Sequence, residues 1–254
     1  MMLQLNRIVM SAHGFVFLVV GLGARSTEAF AELELRDRIW ADEAELSFVD
    51  TSGNSKVRTL SAKNAMKYRV TEPVTLTWKL DALHGEDGGT TTAERYSSDI
   101  RGGYAVTADA FVFGNAGWRQ DKFAGLERET LIGLGYGYKV WTGPLHFLTL
   151  EGGAQQVQDS YTDDTSTDHT DARLFGEYGL AFAKQNRFKQ TVELLYDFSN
   201  SEQYRVNLET SLTSALNARF STKLSYLVRY NHAPVPVAVN TKDSTFSVAL
   251  VANF

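Results

Sequence analysis

From residue 44 to the end of the chain, apolar and polar residues alternate. Tyr204, Val206, Leu208, Thr210 and Leu212 fall on one face, and Arg205, Asn207, Glu209 and Ser211 on the other. Phe220, Thr222, Leu224, Tyr226, Val228 and Tyr230 repeat the pattern against Arg219, Ser221, Lys223, Ser225 and Arg229, as do Val74, Leu76, Trp78 and Leu80 against Thr75, Thr77, Lys79 and Asp81. A period of two sends successive side chains to opposite faces of a strand, whereas a helix would space its apolar residues three and four apart. Turn signals divide the pattern into twelve predicted strands, near 44–52, 56–70, 73–84, 92–106, 109–121, 127–141, 145–158, 168–184, 187–199, 202–214, 219–232 and 242–254. Most exceed the five or six residues usual in soluble sheets and are long enough for a tilted strand to cross a bilayer. An even count suits a bacterial single-chain barrel.

The connections add a second rhythm. Thr71–Glu72, Thr107–Ala108, Thr142-Gly143-Pro144, Gln185–Asn186 and Ala215–Ala218 are tight, while His84–Thr91, Lys122–Leu126, Asp159–Thr167 and Ala233–Thr241 are longer and hydrophilic; Gly53-Asn54-Ser55 is a short exception. Short periplasmic turns and longer external loops alternate in this way in outer-membrane barrels. Aromatic residues collect near the predicted strand ends: Tyr68, Tyr104, Tyr138, Trp141, Phe182, Phe188 and Phe220 beside the tight turns, and Tyr96, Trp118, Tyr196, Phe198, Tyr204 and Tyr230 opposite. Amphipathic rings favour the membrane–water boundary. The last alternating segment ends on Phe254. A terminal aromatic of this kind is similar to the insertion signal that the bacterial barrel-assembly machinery reads.

The first thirty-one residues are expected to be an export signal. Arg7 gives a basic start, Gly14–Leu22 an apolar core, and Ala29-Phe30-Ala31 a small-x-small cleavage site. Residues 32–43 would then be a short periplasmic segment and residues 44–254 the barrel. The apolar run is interrupted by Ser11 and His13 and falls short of the roughly 20 residues of a membrane-spanning helix.

Composition narrows the function classes. The 254 residues carry no cysteine, which excludes disulfides, thiol catalysis and Cys-ligated zinc. A net charge of −5 offers no general attraction to nucleic acid, and no cofactor is expected. Alternation by itself would also fit a secreted soluble β-sandwich. Strand length, loop alternation and aromatic placement favour a transmembrane all-β fold, a single antiparallel up-and-down barrel.

The stretch Thr90–Lys139, with TTAERY, FVFGNAGWRQDKF and the glycine-alternating LIGLGYGY, resembles the salt-induced outer-membrane protein family, also called YdiY-like. Thr51-Ser52-Gly53-Asn54-Ser55, Glu151-Gly152-Gly153 and the ending TKDSTFSVALVANF extend the resemblance over residues 44–254. Lys56-Val57 departs from it where an acidic residue is expected. The resemblance implies an outer-membrane barrel of about this size and supplies no catalytic residues.

Alternation predicts an interior rich in both charges: Lys79, Asp81, Arg95, Asp99, Arg101, Glu151, Arg173, Glu177, Lys189, Glu193, Asp197, Arg205, Glu209, Lys223 and Arg229. On the lipid face at mid-bilayer an Arg or Lys would cost about 2–4 kcal/mol. Such a lumen is either a selective polar pore or a paired plug. Gly133-Leu134-Gly135-Tyr136-Gly137 lacks the strand-to-helix turn of a nucleotide site, so its glycines are expected to let other groups approach the wall. Asp159, Asp163, Asp164, Asp168 and Asp171 lack EF-hand spacing and are expected to form a solvated acidic loop, with no metal site. His84, His146, His169 and His232 fall in no H-x-S arrangement, so a lipid hydrolase is a minority reading. The expected protein is a bacterial outer-membrane barrel in contact with lipid, a narrow channel or permeability component for small hydrophilic solutes or ions. A closed structural barrel is the alternative.

Overall fold

The computed structural model describes residues 38–50, 57–183, 185–233 and 241–254. The predicted export signal and the Gly53-Asn54-Ser55 connection lie outside these residues. Twelve strands follow one another: β1 (Trp40–Asp50), β2 (Val57–Arg69), β3 (Val74–Asp87), β4 (Thr90–Ala105), β5 (Ala110–Asp121), β6 (Leu126–Thr142), β7 (His146–Tyr161), β8 (Ser166–Phe182), β9 (Asn186–Asp197), β10 (Tyr204–Ala215), β11 (Phe220–Asn231) and β12 (Lys242–Asn253). Each pairs antiparallel with its sequence neighbour, and β12 pairs back onto β1. The sheet is a closed barrel, and the sandwich alternative falls. No helix among the described residues is long and apolar enough to cross a bilayer; the crossing elements are strands.

Even-numbered side chains point outward along the strands, except where bulges shift the register and turn Leu126 inward and Trp141 outward, and they are mainly Leu, Val, Ile, Tyr, Phe and Trp. Ile132 and Leu134 are 72% and 71% exposed. Odd-numbered ones point inward and include the buried Glu45, Arg95, Glu129, Glu151, Asp159, Asp171 and Asp197. Apolar outside and polar inside is the reverse of a soluble barrel, and is the arrangement of a barrel that spans lipid. The tight turns and both ends of the barrel sequence share one rim, the terminal rim; the other connections form the far rim. Tyr68, Tyr104, Tyr138, Trp141, Phe182 and Phe220 are exposed at the former. At the far rim Tyr204 stacks on His232 with centroids 4.7 Å apart and tilts against Tyr230 at 6.0 Å.

Three boundaries differ from the sequence reading. Strand β1 begins at Trp40, earlier than 44, because Trp40–Glu43 pair with Ala65–Tyr68. The predicted loop His84–Thr91 is a hairpin whose strands run on to Asp87 and from Thr90, joined by Gly88 and Gly89 alone. Both glycines have positive φ, 59° and 87°, the backbone that a tight two-residue hairpin turn demands. The predicted Asp159–Thr167 loop shrinks to residues 162–165, since Tyr161 and Ser166 close their ladders. Hydrophilic residues that still alternate continue pairing past the apolar belt, so polarity ended the predicted strands too early.

Candidate functional site: the charged lumen

Thirteen predicted lumen charges, Lys79, Asp81, Arg95, Asp99, Arg101, Glu151, Arg173, Glu177, Glu193, Arg205, Glu209, Lys223 and Arg229, lie on the inward face of their strands, as do Lys189 and Asp197. Alternation also brings in charges that the sequence reading left out: Glu45, Lys63, Arg119, Asp121, Glu129, Asp159 and Asp171. All but Asp159 lie inside the strands predicted from sequence, where the same odd-number rule places them inward, and Asp159 lies one residue past its predicted strand.

These groups form three chains of contacts. At mid-height, Arg101 on β4 makes a two-pronged contact with Glu151 on β7, donating from Nη2 at 2.8 Å and from Nη1 at 3.1 Å. Glu151 also accepts from Arg173 on β8 at 2.9 Å, and Arg173 donates to Glu193 on β9 at 2.7 Å. Asn207 on β10 donates to the same Glu193 at 2.9 Å. Nearer the far rim, Glu129 on β6 accepts from Arg119 on β5 at 2.7 Å and from Arg205 on β10 at 2.9 Å. Arg205 donates onward to Asp171 at 2.9 Å, and His169 lies 3.3 Å from that carboxylate. Because β6 and β10 are four strands apart in a closed wall of twelve, Arg205 bridges the lumen itself. The third chain climbs the opposite wall: Lys223 to Glu45 at 2.8 Å, Glu45 to Lys63 at 3.9 Å, Lys63 to Asp81 at 4.0 Å, and Arg95 to Asp81 at 3.4 Å.

Glycine makes the middle chain possible. Phe113 sits across from Gly135, Phe111 across from Gly137 and Phe147 across from Gly179. A Cβ on Gly135 would lie 2.5 Å from Cζ of Phe113 and 2.7 Å from the carbonyl oxygen of Gly152. The rings therefore lie down onto bare backbone, and the Arg101 guanidinium stacks over Phe113 at 3.8 Å from its centroid. Arg173 lies 4.9 Å from the ring of Phe175. The GLGYG pattern thus permits close approach, as its alternation implied.

The acidic segment does not gather. Asp159 and Asp171 face the lumen, Asp163 and Asp164 occupy the turn, and Asp168 points outward. A solvated loop is therefore corrected for Asp159 and Asp171, which are among the buried groups. His169 likewise belongs to the β8 ladder rather than a loop, and His146 contacts the Tyr178 hydroxyl at 2.8 Å. His84 lies 3.1 Å from Glu86 on the outer face. Among the described residues, Nε of Arg119, Oδ1 of Asp159 and Oγ of Ser221 are buried without a hydrogen-bond partner.

An apolar belt around a closed wall, with an interior of linked charges, defines a transmembrane β-barrel. The chain belongs to the family described as Protein of unknown function, DUF481, whose pattern matches residues 44–254. It is similar to the uncharacterized protein YdiY of Escherichia coli (strain K12), 26% identical over 205 residues covering 80% of this chain and 79% of that one. Among solved structures, NanC porin superposes with a TM-score of 0.49 at 6% identity, over 84% of this chain and 97% of that one. An outer-membrane channel from Pseudomonas putida F1 gives 0.49 at 11% identity, over 84% and 93%.

Proposed function

We propose that the protein is a narrow channel of the bacterial outer membrane, passing small hydrophilic solutes or ions through a lumen whose width is held by ion pairs. The observation that carries this reading is the interior itself. A barrel closed for structural reasons alone could be filled with apolar side chains, yet this one directs both signs of charge inward, Arg101 and Arg173 against Glu151 and Glu193. Charges lining a low-dielectric wall set an ion-selective field. No catalytic step, cofactor or nucleic acid enters the proposal; the partners are outer-membrane lipid, the assembly machinery during insertion, and the permeating species.

Full-length protein isolated from outer membranes and inserted into planar bilayers should give stepwise current, with an ion selectivity that changes in Arg101→Glu and in Glu193→Arg. A silent bilayer, with insertion verified by heat-shifted gel mobility, would overturn the channel. It would establish the second reading, a closed barrel, which the bridging of β6 to β10 by Arg205 favours.

A further inference from the structure

Near the far rim, four guanidinium groups, Arg95, Arg119, Arg205 and Arg229, line one cavity of about 120 Å³ together with the carboxylates of Asp121, Asp159 and Asp243. That is room for a cluster of waters, and hence for a small ion. Three of the four have carboxylates at hand. Arg119 and Arg205 share Glu129, Arg205 also holds Asp171, and Arg95 lies 3.4 Å from Asp81 and 4.0 Å from Asp121.

Arg229 differs. It sits in the repulsive field of Arg95 and Arg119, with Asp81 and Asp121 as the weaker opposing charges. No ion-pair or hydrogen-bond partner for its guanidinium occurs among the described residues. Asp243 stands across from it in the β11–β12 ladder, and even that carboxylate makes no such contact. The adjacent Nε of Arg119 is also buried and unpartnered. A cation withdrawn from water among other cations is costly unless a counter-charge joins it. The Asn207 and Asn231 side chains line the same space and can donate as well.

We propose that this vestibule binds a small oxyanion, a carboxylate or phosphate group, held by Arg229 together with Arg95 and Arg119. The planar guanidinium fork matches two oxygens of such a group, which chloride cannot offer. The anion would supply the charge that Arg229 lacks and bind where solute enters the constriction.

The proposal rests on the channel reading for the route by which the ion arrives, but binding can be measured without current. Full-length protein in detergent is titrated calorimetrically with inorganic phosphate and with acetate, each against chloride at equal ionic strength. Phosphate or acetate should bind where chloride does not, and Arg229→Gln should weaken that binding at least tenfold. Arg229→Lys keeps the charge without the fork and should fall between. Heat-shifted mobility checks the fold of each variant; should Arg229→Gln fail to fold, the loss in Arg229→Lys decides. Binding equal to chloride, or unchanged in both variants, would overturn the site. Bound phosphate beside a silent bilayer would remove the channel and leave the site, whereas current with no Arg229-dependent binding would do the reverse.

Discussion

The two sides of the lumen wall are built by different rules. From β5 to β8 the inward face carries Phe111, Phe113, Phe147 and Phe175 among Gly133, Gly135, Gly137, Gly153 and Gly179. From β9 around to β4 it carries no aromatic residue, and between its charges lie Ser211, Ser221, Ser225, Ser247, Thr75 and Thr77. The strands of the first side reach 17 residues in β6 and β8, whereas β9 to β12 have 12 each. One side is therefore shaped by large rings seated on absent side chains. The other is shaped by short hydroxyls that occupy little of the lumen. Arginines reach across from the second kind of wall to carboxylates on the first, so the aromatic side acts as the template on which the ion pairs are placed.

The largest way to break this contrast is Gly135→Leu. Its side chain would meet the Phe113 ring and the Gly152 carbonyl at once, and backbone cannot give way as a rotamer can. The variant should fail to give a heat-shifted band, a loss beyond the roughly 1–3 kcal/mol of ordinary overpacking. Glu151→Gln comes next: it strips the shared carboxylate from Arg101 and Arg173 and should lower stability by about 3 kcal/mol in urea unfolding from vesicles. Phe113→Ala removes the ring beneath Arg101 while keeping the ion pair. About 2 kcal/mol should be lost, below the usual Phe→Ala range because the lumen lets water into the gap. On the hydroxyl side, Ser225→Ala deletes the 2.6 Å contact with Ser247 and should cost about 1 kcal/mol. Gly102→Ala, on the outer face with nothing within 4 Å of its added methyl, should shift the urea midpoint by no more than ~0.5 kcal/mol equivalent. A Gly135→Leu variant as stable as Gly102→Ala would erase the distinction between the walls.

The fold was legible because a half-lipid, half-polar wall forces a strict period of two on the chain. Strand number, antiparallel order and the inward setting of Arg101, Glu151 or Arg205 all follow from that period. The glycine pattern also announced its purpose. Polar strand ends were harder: Asp159 and Asp171 looked like loop because acidic, Thr-rich sequence matches turn composition, although it alternates as faithfully as Leu-rich sequence does. Gly88-Gly89 was hidden within a polar stretch, and only the need for two positive φ values distinguishes it. The contacts among charges were not legible at all. Which carboxylate Arg205 meets depends on the stagger of strands around the closed wall, and stagger is a property of the whole ring. Sequence neighbours say nothing about a partner 76 positions away.

The join between β1 and β12 is short. Four residue pairs, from Glu43 with Asn253 to Leu46 with Leu250, hold it together, compared with eleven between β1 and β2, and Asp42 exchanges both backbone hydrogen bonds with Phe254 at its foot. Past Leu46 no residue pair continues the β1–β12 ladder, although β1 runs on to Asp50. The β1–β12 line is therefore where the wall of the barrel is least tied together by its own backbone.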